Sequence, residues 1–468
     1  VAIQSRYKLS RYAFSFPTKQ NGSLLYSSFK GGVAFIGAPY DEMFEALSYS
    51  KPESIIRIDD KLILDKLLSL GIIVPDDFDE LKAIRKKYLD ARKNTPMTLT
   101  LTTTQDCNLG CYYCYESRTK DKLTDLEISE IVRRTRSKLE TGKHSSLHVD
   151  WYGGEPFLNF QFIESCSMQL QNLCEQLGIN YHASAISNGT LWPKNAAEFV
   201  KKHKFRQVQI SFDGVYSHNS IRRYRKQYQG AESGNSFQIA FDLIGELLEA
   251  TQVDVRFNVS RRTMKEIGDF TKLVNNSDWF NKPFPCFIQP ARVSMYSEKS
   301  SFVRDSELSQ SEFESVLTEF REGLGGDKHL QIGWFADGIG PKNNVCAALA
   351  DDSFVVGAEK LIYRCGLQVG EKDRAVGSIE IYQEKNTTFG DSKFWDEFDP
   401  TVLPDCKRCS FLPICWGGCP KKHLEKDFHN LHETSLYYRK NLAKEVAKVA
   451  GIALREDFEI SENQQFRD

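Results

Sequence analysis

Two tight groups of cysteines constrain this chain more than any other feature. Cys107, Cys111 and Cys114 fall in TTTQDCNLGCYYCYE, spaced Cys-x3-Cys-x2-Cys. Cys406, Cys409, Cys415 and Cys419 fall in LPDCKRCSFLPICWGGCPKK. Both runs are rich in Gly and aromatic residues and lack a periodic apolar face, so they read as loops. Short spacing in a loop lets several thiolates converge on one small centre. The chain holds twelve cysteines in 468 residues. Its N-terminal stretch lacks the charged-then-apolar build of a signal peptide, so a cytoplasmic location is expected. In that reducing compartment, clustered thiols are metal ligands rather than disulfides. Cys166 and Cys174 differ: they share one helical face with Ile163, Leu170 and Leu177 and are expected in the core. Cys286, in the strand-like PCFIQP, is expected there too.

Composition closes off other classes. The chain has 61 basic and 63 acidic side chains, a net charge of −2, which argues against nucleic acid as a partner. No apolar run is long enough to span a bilayer, so no membrane partner is expected. The length suggests several domains, with core enough to fold without disulfide staples.

Residues 1–95 read as a small winged α+β unit. Ser23 to Ile36 gives two strands around Gly31-Gly32, and Asp41 to Leu47, Asp60 to Leu70 and Asp79 to Lys93 give helices, with Gly71 as a C-cap. Residues 96–300 alternate strands and helices. Strands are expected at Met97–Thr102, His148–Tyr152, Tyr181–Ser187, Gln207–Phe212, Val253–Val259 and Pro285–Gln289. Helices are expected at Thr124–Leu139, behind a Thr124/Glu127 capping box, and at Phe160–Leu177, Ser236–Ala250 and Lys265–Val274. This pattern predicts an α/β fold, a partial (β/α)6 TIM-like barrel with its chemistry at the C-terminal ends of the strands. Residues 301–340 read as a polar connector with a helix over Gln310–Leu324. Residues 341–440 hold six cysteines and little periodicity, a loop-rich region that needs metal to stay folded. Residues 441–468 close the chain as a helix, begun at Leu436, and a frayed tail.

Three thiolates supply three corners of a 4Fe–4S cubane, leaving one iron open to a chelating small molecule. Cys107-x3-Cys111-x2-Cys114, with Tyr113 before the last cysteine, resembles the signature of radical S-adenosylmethionine enzymes. Gly153-Gly154-Glu155-Pro156, Ser187-Asn188-Gly189, Ile210 to Gly214 (ISFDG) and His218-Asn219 with Arg222 resemble that family's later motifs, in the same order. The resemblance implies roles. Cys107, Cys111 and Cys114 would ligate the cluster, and S-adenosyl-L-methionine would chelate the open iron. Glu155 would accept from the methionine amino group, with Gly153 and Gly154 allowing close backbone approach. Asn188 belongs to the turn after the third strand. Ser211 would meet the ribose or carboxylate, Arg222 would pair with the carboxylate, with Arg223 as a rival, and Tyr113 would contact the adenine. Reductive cleavage would give a 5′-deoxyadenosyl radical that takes hydrogen from the substrate, with electrons from an external flavodoxin- or ferredoxin-type donor. Taken singly, Glu155 could instead cap the following helix and Arg222 could be a surface charge.

The C-terminal cysteines resemble the SPASM extension of peptide-modifying members, which carries auxiliary 4Fe–4S clusters. Cys406, Cys409, Cys415 and Cys419 match its central pattern, and Cys346 and Cys365 match its upstream pair. The resemblance implies two auxiliary clusters, one on Cys346, Cys365 and Cys419 and one on Cys406, Cys409 and Cys415. The family's last cysteine is missing. Ser435 stands near its place, and Ser435, His423, His429 or His432 could substitute, or the iron could be open. Zinc is the competing occupant, since Cys-x2-Cys also suits it.

Within this resemblance, a maturase of ribosomally made peptides is the expected function. Residues 1–95 would bind a leader peptide as an added strand. An anaerobic sulfatase maturase is the alternative. It would carry an Asp after the second upstream cysteine, where this chain has Gly366 after Cys365. A non-catalytic iron–sulfur scaffold is the remote alternative. The sequence does not identify the peptide, the bond formed or a catalytic acid or base.

Overall fold

The computed structural model describes residues 6–48, 55–56, 58–116, 118–142, 144–229, 234–295, 298–331, 338–380, 389–456 and 458–466. Parts of the expected connector (332–337) and of the loop-rich region (381–388) lie outside the described residues. Contacts divide the chain into two units. The first combines Val1–Thr95, Trp334–Asp351 and Lys393–Asp468; the second combines Pro96–Gly333 and Asp352–Ser392.

In the first unit, β1 (Tyr7–Leu9) pairs antiparallel with β5 (Ile55–Ile56) and β6 (Ile73–Pro75). Strands β2 (Ala13–Pro17), β3 (Ser23–Ser27) and β4 (Val33–Ile36) form an antiparallel meander, with Ser23 opposite Ile36 across the Gly31-Gly32 turn. Helix Lys61–Leu70 starts where the Asp60 carboxylate accepts from Leu62 and Ile63 N–H and stops at left-handed Gly71, as its sequence predicts. Helix Glu80–Asn94 starts at Asp79 in the same way. One face of the meander packs on distant sequence: Phe14, Phe16, Leu24 and Tyr26 share a core with Phe411, Ile414, Tyr438 and Leu442. Phe14 stacks on Phe411 with centroids 5.7 Å apart. Residues 1–95 therefore bury their apolar face against the second cysteine loop and the last long helix.

That helix differs from expectation. It runs Phe428–Ala450, eight residues earlier than its predicted start, between the Asp427 cap and left-handed Gly451. Thr434, Tyr438, Leu442 and Val446, four residues apart, form its buried stripe and extend it through HETSLYYRK. The tail is not frayed at 461–466. Ser461 and Gln464 form a capping box, and Ser410 N–H donates to Gln465 O at 2.7 Å.

In the second unit six parallel strands stand in chain order: β7 (Met97–Thr104), β8 (Ser146–Gly153), β9 (Asn180–Ser187), β10 (Phe205–Phe212), β11 (Gln252–Val259) and β12 (Cys286–Arg292). Helices fill the connections, including Ala196–Lys202, which the sequence reading omits. Three further strands, β13 (Phe354–Val356), β14 (Leu361–Tyr363) and β15 (Gly377–Ser378), extend the sheet beyond β7, giving nine strands among the described residues. β13 rather than β12 takes the outer side of β7, so the barrel stays open. The fold is the partial TIM-like α/β barrel that the alternating pattern predicts. Cys166, Cys174 and Cys286 are buried in its core. Of the Thr124/Glu127 box only half forms: Glu127 accepts from Thr124 N–H, and from its hydroxyl, at 2.7 Å each.

Truncating Phe14 to Ala should remove about 3–5 kcal/mol, the usual cost of emptying an aromatic core site. Because its partner ring is on the cysteine loop, thermal melts should show this loss together with reduced iron retention. A stable variant with full iron would mean that the meander does not brace that loop.

Candidate functional site

The three-cysteine loop follows β7 and is shaped by main-chain hydrogen bonds from two neighbours. The turn after β8 supplies one set: Gly154 N–H donates to Thr104 O and Glu155 N–H to Asp106 O, both at 3.0 Å. A Cβ on Gly153 (φ 139°) would lie 2.3 Å from Thr104 O, and one on Gly154 would lie 2.4 Å from Asp106 O. The close approach these glycines permit is thus to the cysteine loop itself. The segment after Arg222 supplies the other set. Gly110 N–H donates to Arg223 O at 2.8 Å and Arg225 N–H to Asn108 O at 2.9 Å. The Arg225 guanidinium pairs with Asp106 and donates to Cys107 O at 2.9 Å. Tyr228 donates to Asp106 at 2.6 Å.

At these strand ends lies a cavity of about 590 Å³, within the range of small-molecule sites. Cys107, Cys111, Cys114 and Tyr113 line it, with Gly153, Gly154, Asn188, Ser211 and Arg222. Arg223, the rival of Arg222, is exposed. Glu155 is not among the lining residues. It is fully buried behind them, where its carboxylate accepts from Phe157 N–H at 3.2 Å, the Ser187 hydroxyl at 2.9 Å and Asn188 N–H at 2.7 Å. Burial pushes its pKa up to about 7, against those three bonds. It caps the turn that follows and in doing so fixes Asn188. The Asn188 amide donates to Asn108 Oδ1 at 2.8 Å and stands 3.8 Å from Cys107 Sγ.

Tyr113 is the centre of a buried polar group. Its hydroxyl donates to Asp213 at 2.7 Å and accepts from Arg222 at 2.8 Å and Asn258 at 3.0 Å. Arg222 also pairs directly with Asp213. Its guanidinium thus meets a carboxylate within the protein. Asp213 is the Asp of the ISFDG run, but nothing local marks its partner. Sequence reasoning also missed Glu116, which lines the cavity with its pKa pushed up to about 7 by burial. It missed Arg256 and Arg292, on β11 and β12, which line it as well.

The donor chemistry fits an iron–sulfur cluster. Three soft sulfur donors border one cavity, and burial raises Cys107 and pushes Cys111 up to about 11, so loading must displace their protons. Among the described residues no three Cys, His, Asp or Glu side chains crowd round a point as ligands of a single ion would. A cubane asks something different, one thiolate on each of three separate irons.

Cys365 lines the same cavity, followed by Gly366 and Leu367. Cys346 and Cys419 belong to the first unit. Cys406, Cys409 and Cys415 border a second cavity, of about 520 Å³, within the first unit. Among the described residues, no helix is long and apolar enough to cross a membrane.

Residues 101–261 match the Radical SAM superfamily. The chain carries a radical SAM domain. It is an enzyme of that superfamily, for which S-adenosylmethionine and a 4Fe–4S cluster are the implied cofactors. The chain is 25% identical to the cysteine-type anaerobic sulfatase-maturating enzyme of Clostridium perfringens, over 69% of this chain and 89% of that one. It is 24% identical to the radical SAM cyclopropyl synthase TigE of Paramaledivibacter caminithermalis, over 58% of this chain and 61% of that one. Its fold resembles the solved structure of native anSMEcpe with bound AdoMet and Cp18Cys peptide. The TM-score is 0.54 at 20% identity, over 76% of this chain and 99% of that one.

Replacing Tyr113 by Phe deletes the hydroxyl that Asp213, Arg222 and Asn258 share. With buried donors left unpaired, the cost should be about 1–3 kcal/mol. Calorimetry should find a lower melting temperature for the second unit while all three cysteines remain. An unchanged melt would show that the hydroxyl carries no structural weight.

Proposed function

We propose that this radical SAM enzyme takes a hydrogen atom from a peptide and installs a thioether, a carbon–carbon cross-link or a related modification. Relatives of both kinds, a sulfatase maturase and a cyclopropyl synthase, support chemistry on polypeptides. The observation that carries the choice is Gly366. It lines the cavity directly after Cys365, where the sulfatase type is expected to carry an Asp. The sulfatase-maturase reading stands second, favoured by the match that spans 89% of the Clostridium perfringens enzyme.

In the proposed site Cys107, Cys111 and Cys114 hold the cluster. Asn188, Ser211 and the Gly153–Gly154 turn border the S-adenosylmethionine site, and Glu155 supports them from behind the wall. Arg222 and Tyr113 present the Asp213-anchored polar group to the carboxylate and adenine. When bound, cluster and cofactor supply a 5′-deoxyadenosyl radical. The protein's own part is to orient the substrate hydrogen and exclude water. Within the first unit Cys406, Cys409 and Cys415 hold an auxiliary cluster. The partners are a peptide or small protein carrying a leader, which residues 1–95 recognise, and an external flavodoxin- or ferredoxin-type donor.

Replacing Cys107, Cys111 and Cys114 together by Ala should abolish S-adenosylmethionine cleavage and leave the remaining iron bound. Retained 5′-deoxyadenosine formation would refute the assignment.

Mass spectrometry separates the two readings. A cross-linked product retains its cysteine sulfur and loses hydrogen, whereas conversion of cysteine to formylglycine releases the sulfur. Turnover of a sulfatase-derived cysteine peptide with loss of sulfur would favour the second reading.

A further inference from the structure

The cavity of about 520 Å³ in the first unit is built from three separated stretches. The cysteine loop supplies Cys406, Cys409 and Cys415. Cys406 opens a short turn, Cys409 follows it, and Cys415 ends the helix Leu412–Cys415. The chain then reverses through three successive left-handed residues, Trp416 (φ 50°), Gly417 (φ 78°) and Gly418 (φ 75°). Gly417, within that reversal, lines the cavity as well. The helix Phe428–Ala450 supplies His432 and Ser435, three residues apart and so on one face. The segment after Ser461 supplies Gln465, which is 3% exposed and anchored through its carbonyl to Ser410.

Gln465 joins the other two stretches. Its amide nitrogen donates to the Ser435 hydroxyl oxygen and stands 3.6 Å from Cys409 Sγ. One donor thus holds an oxygen and a thiol sulfur side by side. His423 also lines the cavity, but its Nε2 is 2.7 Å from Gly417 O and donates there. His429 is not among the lining residues.

We propose that this cavity holds an iron–sulfur cluster on the thiolates of Cys406, Cys409 and Cys415, with the Ser435 oxygen at its fourth corner and Gln465 as the positioning residue. This rests on the auxiliary cluster of the proposed function and adds the identity of the odd ligand. On ligation the Ser435 hydroxyl gives its proton to solvent, and no electron moves. An alkoxide is a harder, more basic ligand than a thiolate, and it accepts the Gln465 N–H more strongly than the neutral hydroxyl does. The same N–H directed at the Cys409 sulfur stabilises added electron density on the cluster. Ligand identity and outer hydrogen bonds are both established levers on cluster potential.

The test uses the full chain with Cys107, Cys111 and Cys114 replaced by Ala, loaded anaerobically with iron and sulfide. Iron and acid-labile sulfide are counted, and the dithionite-reduced protein is examined by paramagnetic resonance. Adding Cys409→Ala should remove one signal, which identifies this cavity's cluster. In that same background Ser435→Cys should keep the iron and move that signal alone, while Ser435→Ala should change it or shed its iron. Gln465→Leu should shift the potential at which that signal appears and leave any other signal in place. If Cys409→Ala removes neither iron nor signal, the proposal fails together with the auxiliary-cluster reading. If it removes both, but Ser435→Cys and Ser435→Ala leave the signal unchanged, the cluster stands and the Ser435 ligand is refuted. Zinc bound in place of iron under these conditions would overturn the proposal as well.

Discussion

The site in the second unit depends on a clasp between backbones. Loops that carry metal ligands risk having no shape of their own, because the metal often supplies the bonds that hold them folded. Here the three-cysteine loop is held by main-chain bonds to Gly154, Glu155, Arg223 and Arg225, with Arg225 and Tyr228 pinning Asp106. None of these bonds uses a thiol, so the three sulfurs are presented by a scaffold that does not require them. The two glycines are forced by this clasp, since side chains at either would strike the main chain of Thr104 or Asp106.

The same logic places Glu155. Its carboxylate is spent on the main chain and hydroxyl of the Ser187-Asn188 turn, so that the third strand's loop is fixed relative to the second's. Tyr113, Arg222, Asp213 and Asn258 do the corresponding work between the cysteine loop and the fourth and fifth barrel strands. Strand ends that would otherwise splay are thus tied by side chains that are nearly all buried, where an unmade bond costs more than a made one gains.

Much of this was legible in the sequence. Asp60 with Gly71 brackets one helix, and alternating strands and helices give the partial barrel. The short helix Ala196–Lys202 was missed because a single turn or two carries too little periodicity. The sequence reading starts the last helix at Leu436, just past Ser435 at the place of the missing cysteine, although the buried positions repeat at four-residue spacing from Thr434. Glu116 and the partnership of Tyr113 with Asp213 were not legible, since both depend on which loops meet. Nor was the shared core of Phe14 and Phe411: each is an ordinary aromatic in its own segment, and only the fold makes them neighbours.

That shared core has a consequence for synthesis on the ribosome. The meander of residues 13–36 emerges early, but its apolar face is covered by residues made much later; the Ser28 hydroxyl bonds to Ser410 O across 382 positions. Throughout that interval the barrel, whose strands pair in the order they are made, can complete itself. The nascent chain therefore carries an uncovered aromatic sheet until translation reaches the second cysteine loop, a window in which holdase chaperones have a surface to grip.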